Sequence, residues 1–126
     1  MSRHVLVSTA IALCFSAACR VRNPIRVSPA AADRAADVTV AIHARSFEFD
    51  PSEIRVKQGQ VVELQLVAAG RKHGFGLTAF GIRTEPPEGS PVTVRFVADR
   101  RGEFGFRCNV FCGLGHLGMR GRLIVE

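Results

Sequence analysis

A short segment near the C-terminus collects side chains that bind soft metal ions. Its candidate ligands follow the spacing C-x3-C-x3-H-x2-M and are Cys108, Cys112, His116 and Met119. Thiolate and thioether ligands select copper, above all Cu(I), over hard cations, and zinc sites have no use for a thioether. The segment therefore predicts a copper site. Three glycines give its backbone the freedom to bend tightly around something small; they are Gly113, Gly115 and Gly118.

A histidine upstream would complete this ligand set. His73 is the candidate, because it follows the clearest predicted strand and lies 35 residues before Cys108. In a Greek-key sandwich, the end of one strand and a later loop can meet at the same pole. His43 is the rival, but it falls inside an alternating strand, so we interpret it as an ordinary strand residue.

Three other interpretations of the segment stay open at this point. In an oxidising compartment Cys108 and Cys112 could form a disulfide, although this leaves His116 and Met119 without a role. The same residues could hold zinc. They could also form a mononuclear type 1 copper site with one cysteine, two histidines and the methionine as ligands.

Short alternating apolar segments separated by turns fill the chain from Val38 onward. The predicted strands cover residues 38–42, 47–49, 54–56, 62–66, 92–97, 103–106 and 123–125. Turn signals such as Asp50-Pro51 recur about every ten residues, and no window shows a helical apolar stripe. The pattern predicts an all-β, Greek-key β-sandwich or barrel. The metal segment would then be a loop at one end of the sandwich, before the last strand.

The N-terminus has the organisation of a secretory signal. Arg3 precedes a short apolar run, which is followed by small residues that end at Ala18. This run is too short to span a bilayer. Cys19 comes directly after the small residues, as in a bacterial lipobox. We therefore expect a signal peptide over residues 1–18 and a lipidated Cys19, with ordinary cleavage after Ala18 as the alternative.

The remaining 108 residues are enough for one domain. Residues 19–37 are rich in Pro and Ala and are predicted to be a linker, and residues 38–126 are predicted to form the domain. The chain is 126 residues long, with 47% apolar and 22% charged residues, which excludes a two-domain enzyme with its own cofactor fold. We expect no nucleic-acid partner and no transmembrane helix in the mature chain.

The ligand set is similar to the dinuclear copper (CuA) site of cytochrome c oxidase subunit II, which belongs to the cupredoxin family. The resemblance extends beyond the ligands. The pattern Phe47-x3-Pro51-x2-Ile54-x-Val56-x2-Gly59-x-Val61 is similar to the early cupredoxin strands, and Gly102-x-Phe104-x3-Cys108 is similar to the approach to the cysteine pair. The resemblance spans roughly residues 38–126.

The resemblance implies a ligand arrangement and a function. Cys108 and Cys112 would bridge two copper ions. His73 and Met119 would complete one copper, and His116 and the main-chain carbonyl of Val110 would complete the other. The two metals would share one unpaired electron, which favours fast electron transfer with a c-type cytochrome or a terminal oxidase as the redox partner.

Several features depart from subunit II. Position 110 is Val where the family usually has Glu, and the chain has no Trp. From Val38 onward it has twelve basic and nine acidic residues, and no acidic docking face is evident. We expect no counterpart of the two transmembrane helices of subunit II. We therefore expect a free-standing periplasmic domain with an acidic or small partner. It would be at most an electron-transfer component of an oxidase, with no catalytic site of its own.

Copper delivery is the alternative function. A periplasmic carrier should hold Cu(I) at an exposed, Met-rich site. The chain has two methionines, one of which is the initiator. This composition favours a buried redox centre over a carrier.

Overall fold

The structure is a computed structural model that describes residues 25–27, 31, 33–110 and 113–126. The predicted signal peptide, Cys19 and Cys112 lie outside these residues. Ten strands are present in the described residues: β1 (Ile25–Val27), β2 (Val38–Arg45), β3 (Glu48–Asp50), β4 (Glu53–Val56), β5 (Val61–Ala68), β6 (Phe75–Leu77), β7 (Ile82–Thr84), β8 (Val92–Val97), β9 (Gly102–Arg107) and β10 (Arg120–Val125). Two short 3-10 turns cover Thr78–Phe80 and His116–Gly118.

The strands form two five-stranded sheets. The first has the order β1-β8-β5-β2-β3 and the second has the order β4-β10-β9-β6-β7. Neighbours in each sheet are often distant in the chain, and both parallel and antiparallel pairs occur. The predicted all-β, Greek-key sandwich is confirmed. No helix in the described residues is long and apolar enough to cross a bilayer.

The core lies between the sheets because apolar residues alternate along the strands. In β8 every second residue, beginning with Val92, is buried, and β2 buries Ile42 and Ala44 in the same way. Three phenylalanine rings, those of Phe49, Phe75 and Phe106, form a cluster with centroids 5.1 to 5.7 Å apart. Such aromatic pairs contribute about 0.5–1.5 kcal/mol each beyond their buried area.

The segments predicted as strands all contain strand residues, but the structure adds three short strands. β6 and β7 are only three residues long, so they give no clear alternation in the sequence. β1 lies within the predicted linker and pairs with β8. Near the end of that linker, the Asp37 carboxylate accepts a 2.7 Å hydrogen bond from the Val61 amide. This part of the linker therefore contacts the domain.

Candidate metal centre

The register of β6 and β9 brings two distant segments together. Gly76 of β6 lies opposite Arg107 of β9 in an antiparallel pair. Stepping outward from this pair along both strands places Gly74 against Asn109. The Gly74 amide then donates a hydrogen bond to the Cys108 sulfur at 3.5 Å. The segment that carries His73 and the start of the C-terminal loop thus meet at one pole, as the Greek-key argument predicts.

His73 is completely buried, and neither of its ring nitrogens has a hydrogen-bond partner of normal geometry. An unpaired buried polar group is destabilising by about 1–3 kcal/mol. Burial lowers the pKa of His73, a backbone contact with Ala69 opposes that shift, and the charge of Arg71 adds to it. At neutral pH the imidazole is therefore neutral, which is the form that binds metals.

Cys108 lies directly after β9 and is almost fully buried. Its sulfur donates a hydrogen bond to the carbonyl oxygen of Val110 at 3.0 Å, so these two atoms lie next to each other. Its amide donates a 3.1 Å hydrogen bond to the Met119 carbonyl, which joins the two ends of the loop. The Met119 side chain is fully buried. Cys108, Val110 and Met119 therefore lie at the pole that carries His73.

Two residues that the sequence did not single out fix this arrangement. A Cβ atom on Gly74 would lie 1.9 Å from Asn109 Oδ1 and 2.9 Å from the Val110 amide nitrogen. Only glycine leaves room for so close an approach. The Asn109 side chain also donates to the Phe75 carbonyl at 3.4 Å, while its Oδ1 is buried without a partner. The only sequence signal was the His-Gly pair, which carries no information about position 109.

The glycines of the loop make room for an aromatic ring. Cβ atoms on Gly113 and Gly115 would approach the Phe47 ring to 2.9 and 2.3 Å. Gly113 also has a φ of +130°, which favours glycine. Gly118 has open space around it and a φ outside the left-handed range. The expected tight bending therefore applies to Gly113, whereas at Gly115 the requirement is space for Phe47.

Two of the predicted ligands lie wholly or partly outside the residues that the structure describes. The structure describes neither Cys112 nor the side chain of His116, whose backbone begins the second 3-10 turn. Within residues 33–110 and 113–126, no three His, Cys, Asp or Glu side chains gather at one point. His43 is exposed on β2, where the flanking Ile42 and Ala44 are buried, so its side chain faces away from the core.

The described donors fit a copper ion. A neutral imidazole, a cysteine sulfur and a thioether form a soft donor set, and the paired strands β6 and β9 adjoin the segments that carry the imidazole and the cysteine. The two unpartnered nitrogens of His73 are the feature that a metal explains best, because ligation satisfies one of them. The phenylalanine cluster reaches this pole through Phe75, next to Gly74, and Phe106, two residues before Cys108. It keeps the inner side of the site apolar.

The protein is a two-sheet β-sandwich that buries His73, Cys108 and Met119 at one pole, and these features identify its structural class. The chain belongs to the cupredoxin-like domain family, whose profile matches residues 6–125.

Curated relatives place the chain more closely. It is similar to cytochrome c oxidase subunit 2 of Thermus thermophilus, with 35% identity over 88 residues that cover 70% of this chain and 65% of that subunit. It is also 37% identical over 95 residues to nitrous-oxide reductase of Cupriavidus necator, covering 71% of this chain and 14% of the reductase. The chain therefore spans less than two thirds of the length of these relatives.

Solved structures agree. A cryo-EM structure of a heme-copper terminal oxidase dimer matches with a TM-score of 0.66 and 27% identity, covering 71% of this chain and 65% of that one. The periplasmic domain of subunit II of cytochrome oxidase of Bradyrhizobium japonicum matches with a TM-score of 0.68 over 74% of this chain and 86% of that one. At 22% identity the second match supports the fold alone. The predicted relation to subunit II is confirmed.

Proposed function

We propose that the protein is a copper-binding electron-transfer protein with a dinuclear, CuA-type centre. The proposed ligands are His73, Cys108, Cys112, His116, Met119 and the carbonyl of Val110. The observation that carries the proposal is the burial of His73, with both ring nitrogens unpartnered, next to Cys108. The relation to oxidase subunit II supports the same assignment.

The chain holds the donors ready before any metal arrives. His73 is already neutral, since burial lowers its pKa. The Gly74 amide points at the Cys108 sulfur, where a donor stabilises the thiolate form that binds metal. The pairing of β6 with β9 fixes the segment that carries His73 relative to the segment that carries Cys108. Copper, when bound, supplies the one-electron chemistry, and the protein contributes rigid ligands and a dry, apolar inner wall.

Burial also favours electron transfer over copper delivery. A site that hands its ion to another protein needs accessible, exchangeable ligands. His73 and Met119 are both fully buried, and Cys108 is nearly so. An electron can leave such a site while the metal ion stays.

We also propose a location and partners. A signal peptide over residues 1–18 would export the chain to the periplasm, and lipidated Cys19 would anchor it to a membrane there. Residues 19–37 would link the anchor to the domain. The redox partner would be a c-type cytochrome or a terminal oxidase. The chain itself would be an electron-transfer component without a catalytic site.

Paired histidine variants test the proposal. The chain is loaded with Cu(II) under mild reductant, and bound copper and the visible spectrum are measured. We expect His73→Ala to bind fewer than two coppers and to lose the visible bands of the wild type. His43→Ala is the matched control, since it removes an exposed imidazole, and it should leave both unchanged. Wild-type copper content and spectrum in His73→Ala would contradict the proposal.

A further inference from the structure

One face of the second sheet carries an uncompensated row of arginines beside the candidate metal centre. The strand register places Arg120 opposite Arg107, Arg107 opposite Gly76, and Gly76 opposite Arg83. The row therefore crosses four strands, β10, β9, β6 and β7, and spans roughly 15 Å at the usual strand spacing. All three arginines are exposed, and they line a cleft of about 860 Å³ whose floor includes Gly76 and Gly105.

These arginines have no ion-pair partner in the described part of the chain. Arg122, on the same face one row further along, pairs with Glu53 at 2.7 Å and with Glu103 at 3.1 Å. Glu85 pairs with Lys72 at 2.8 Å, and this pair is the main cause of the lowered pKa of Glu85. The charge of Arg83 lowers that pKa only to a smaller extent, so Glu85 is not the ion-pair partner of Arg83. Arg122, which is farther from the candidate metal centre, is therefore paired with carboxylates, whereas the three arginines of the nearer row are not.

The cleft reaches the candidate metal centre. Cys108, Asn109 and Leu117 line it together with the arginines. Leu117 and Leu114 project from the metal loop with side chains that are 81% and 99% exposed. Apolar residues flanked by charges are typical of protein interfaces. A partner that docks here would come close to Cys108, and a short distance is what electron exchange requires.

We propose that this arginine face, defined by Arg83, Arg107 and Arg120, docks a redox partner protein through a cluster of carboxylates. The proposal depends on the proposed electron-transfer function, whose partner it specifies. Guanidinium groups bind carboxylates in a bidentate, directional way. The cleft is concave and only a few strands wide, which suits a protruding acidic patch better than the flat, extended surface of an anionic membrane. Opposite charge on the partner would also speed the encounter.

Two double variants with the same change in net charge test the docking face. Arg83→Gln/Arg107→Gln removes two of the three charges of the row. Lys57→Gln/Arg101→Gln neutralises two exposed cations in the turns that precede β5 and β9, at the opposite pole of the sandwich. The copper-loaded full chain is mixed with a negatively charged and with a positively charged c-type cytochrome in stopped flow, at ionic strengths from 10 mM upward. Copper content is measured first, so that only folded, loaded protein is compared.

With the negatively charged cytochrome at low ionic strength, we expect the row variant to lower the second-order rate constant about tenfold and the control variant less than twofold. The difference should disappear at high salt, where the charges are screened. Equal slowing by both variants, or by neither, would overturn the proposal. Loss of binding to phosphatidylglycerol vesicles in the row variant, with unchanged cytochrome rates, would overturn it in favour of a membrane surface.

Calorimetry on the metal-free chain separates this proposal from the proposed function. If the chain takes up no copper but binds the negatively charged cytochrome through the arginine row, the proposed function fails and the docking face stands. If it takes up copper but the row variant binds the cytochrome as tightly as the wild type, only the docking face fails.

Discussion

The close approach of Gly74 to Asn109 makes the sharpest prediction about the architecture of the site. In Gly74→Ala, the new methyl group would lie 1.9 Å from Asn109 Oδ1, 2.8 Å from Val110 Cγ2 and 2.9 Å from the Val110 amide nitrogen. The Asn109 side chain can move only by giving up its 3.4 Å hydrogen bond to Phe75. The Val110 amide belongs to the backbone that leads into the metal loop. One of these groups must be displaced.

The magnitude follows from these contacts. Overpacking of this kind is destabilising by about 1–3 kcal/mol, and a lost hydrogen bond adds about 0.5–1.5 kcal/mol. Lower backbone entropy of the unfolded alanine variant offsets about 0.4–1 kcal/mol. We therefore expect a net destabilisation of about 2 kcal/mol, or about 8–16 °C in the Tm of a domain of this size. Displacing Val110 should also weaken copper binding.

Thermal unfolding of the metal-free chain, followed by circular dichroism, measures this effect. Gly118→Ala is the matched control, because it lies at the same pole, in the loop between β9 and β10, with no atom within 4 Å of its Cβ position and no left-handed φ. It should leave the Tm unchanged or raise it slightly. A Tm of Gly74→Ala within about 1 °C of the wild type, or equal losses in both variants, would refute the packing described here.

Three further changes have defined outcomes. Cys112→Ser should abolish a dinuclear centre, and metal analysis that still finds two coppers with an unchanged spectrum would contradict the bridging role. Met119→Leu fills nearly the same buried volume and should keep copper. Voltammetry should show a shifted reduction potential, because a thioether ligand tunes the potential of such sites. Complete loss of metal would contradict this prediction. The pKa of Glu53 is lowered, chiefly by the hydrogen bond from Arg122, so its ionised form stabilises the fold at neutral pH. That contribution is lost as the pH falls through the lowered pKa. In Glu53→Gln, the stability of the fold should therefore decrease less steeply with pH in this range. An acid-unfolding profile identical to that of the wild type would show that the pair of Glu53 and Arg122 does not contribute.

The strands and the pole of the site were readable from the sequence for a physical reason. Alternation in residues such as Val92 to Val97 reflects burial of one face, and burial is what forms the sheet. His73 could be predicted because it follows the clearest strand, and Cys108 because it follows another. Two segments that leave strands of one sandwich at the same pole can meet there.

The remaining features depend on register, which the sequence pattern does not specify. The contact between Gly74 and Asn109 exists because Gly76 pairs with Arg107, and a slip of one residue would remove it. The arginine row arises in the same way, from the pairings of β10 with β9, of β9 with β6 and of β6 with β7. The space that Gly115 leaves for Phe47 likewise joins residues that are distant in sequence.

The central claim is that two copper ions share one electron at this pole, and electron paramagnetic resonance of the copper-loaded chain tests it most directly. Together with about two coppers per chain, roughly seven hyperfine lines, as expected for two equivalent nuclei of spin 3/2, are the predicted result. About one copper per chain and roughly four lines would contradict the claim and indicate a mononuclear site.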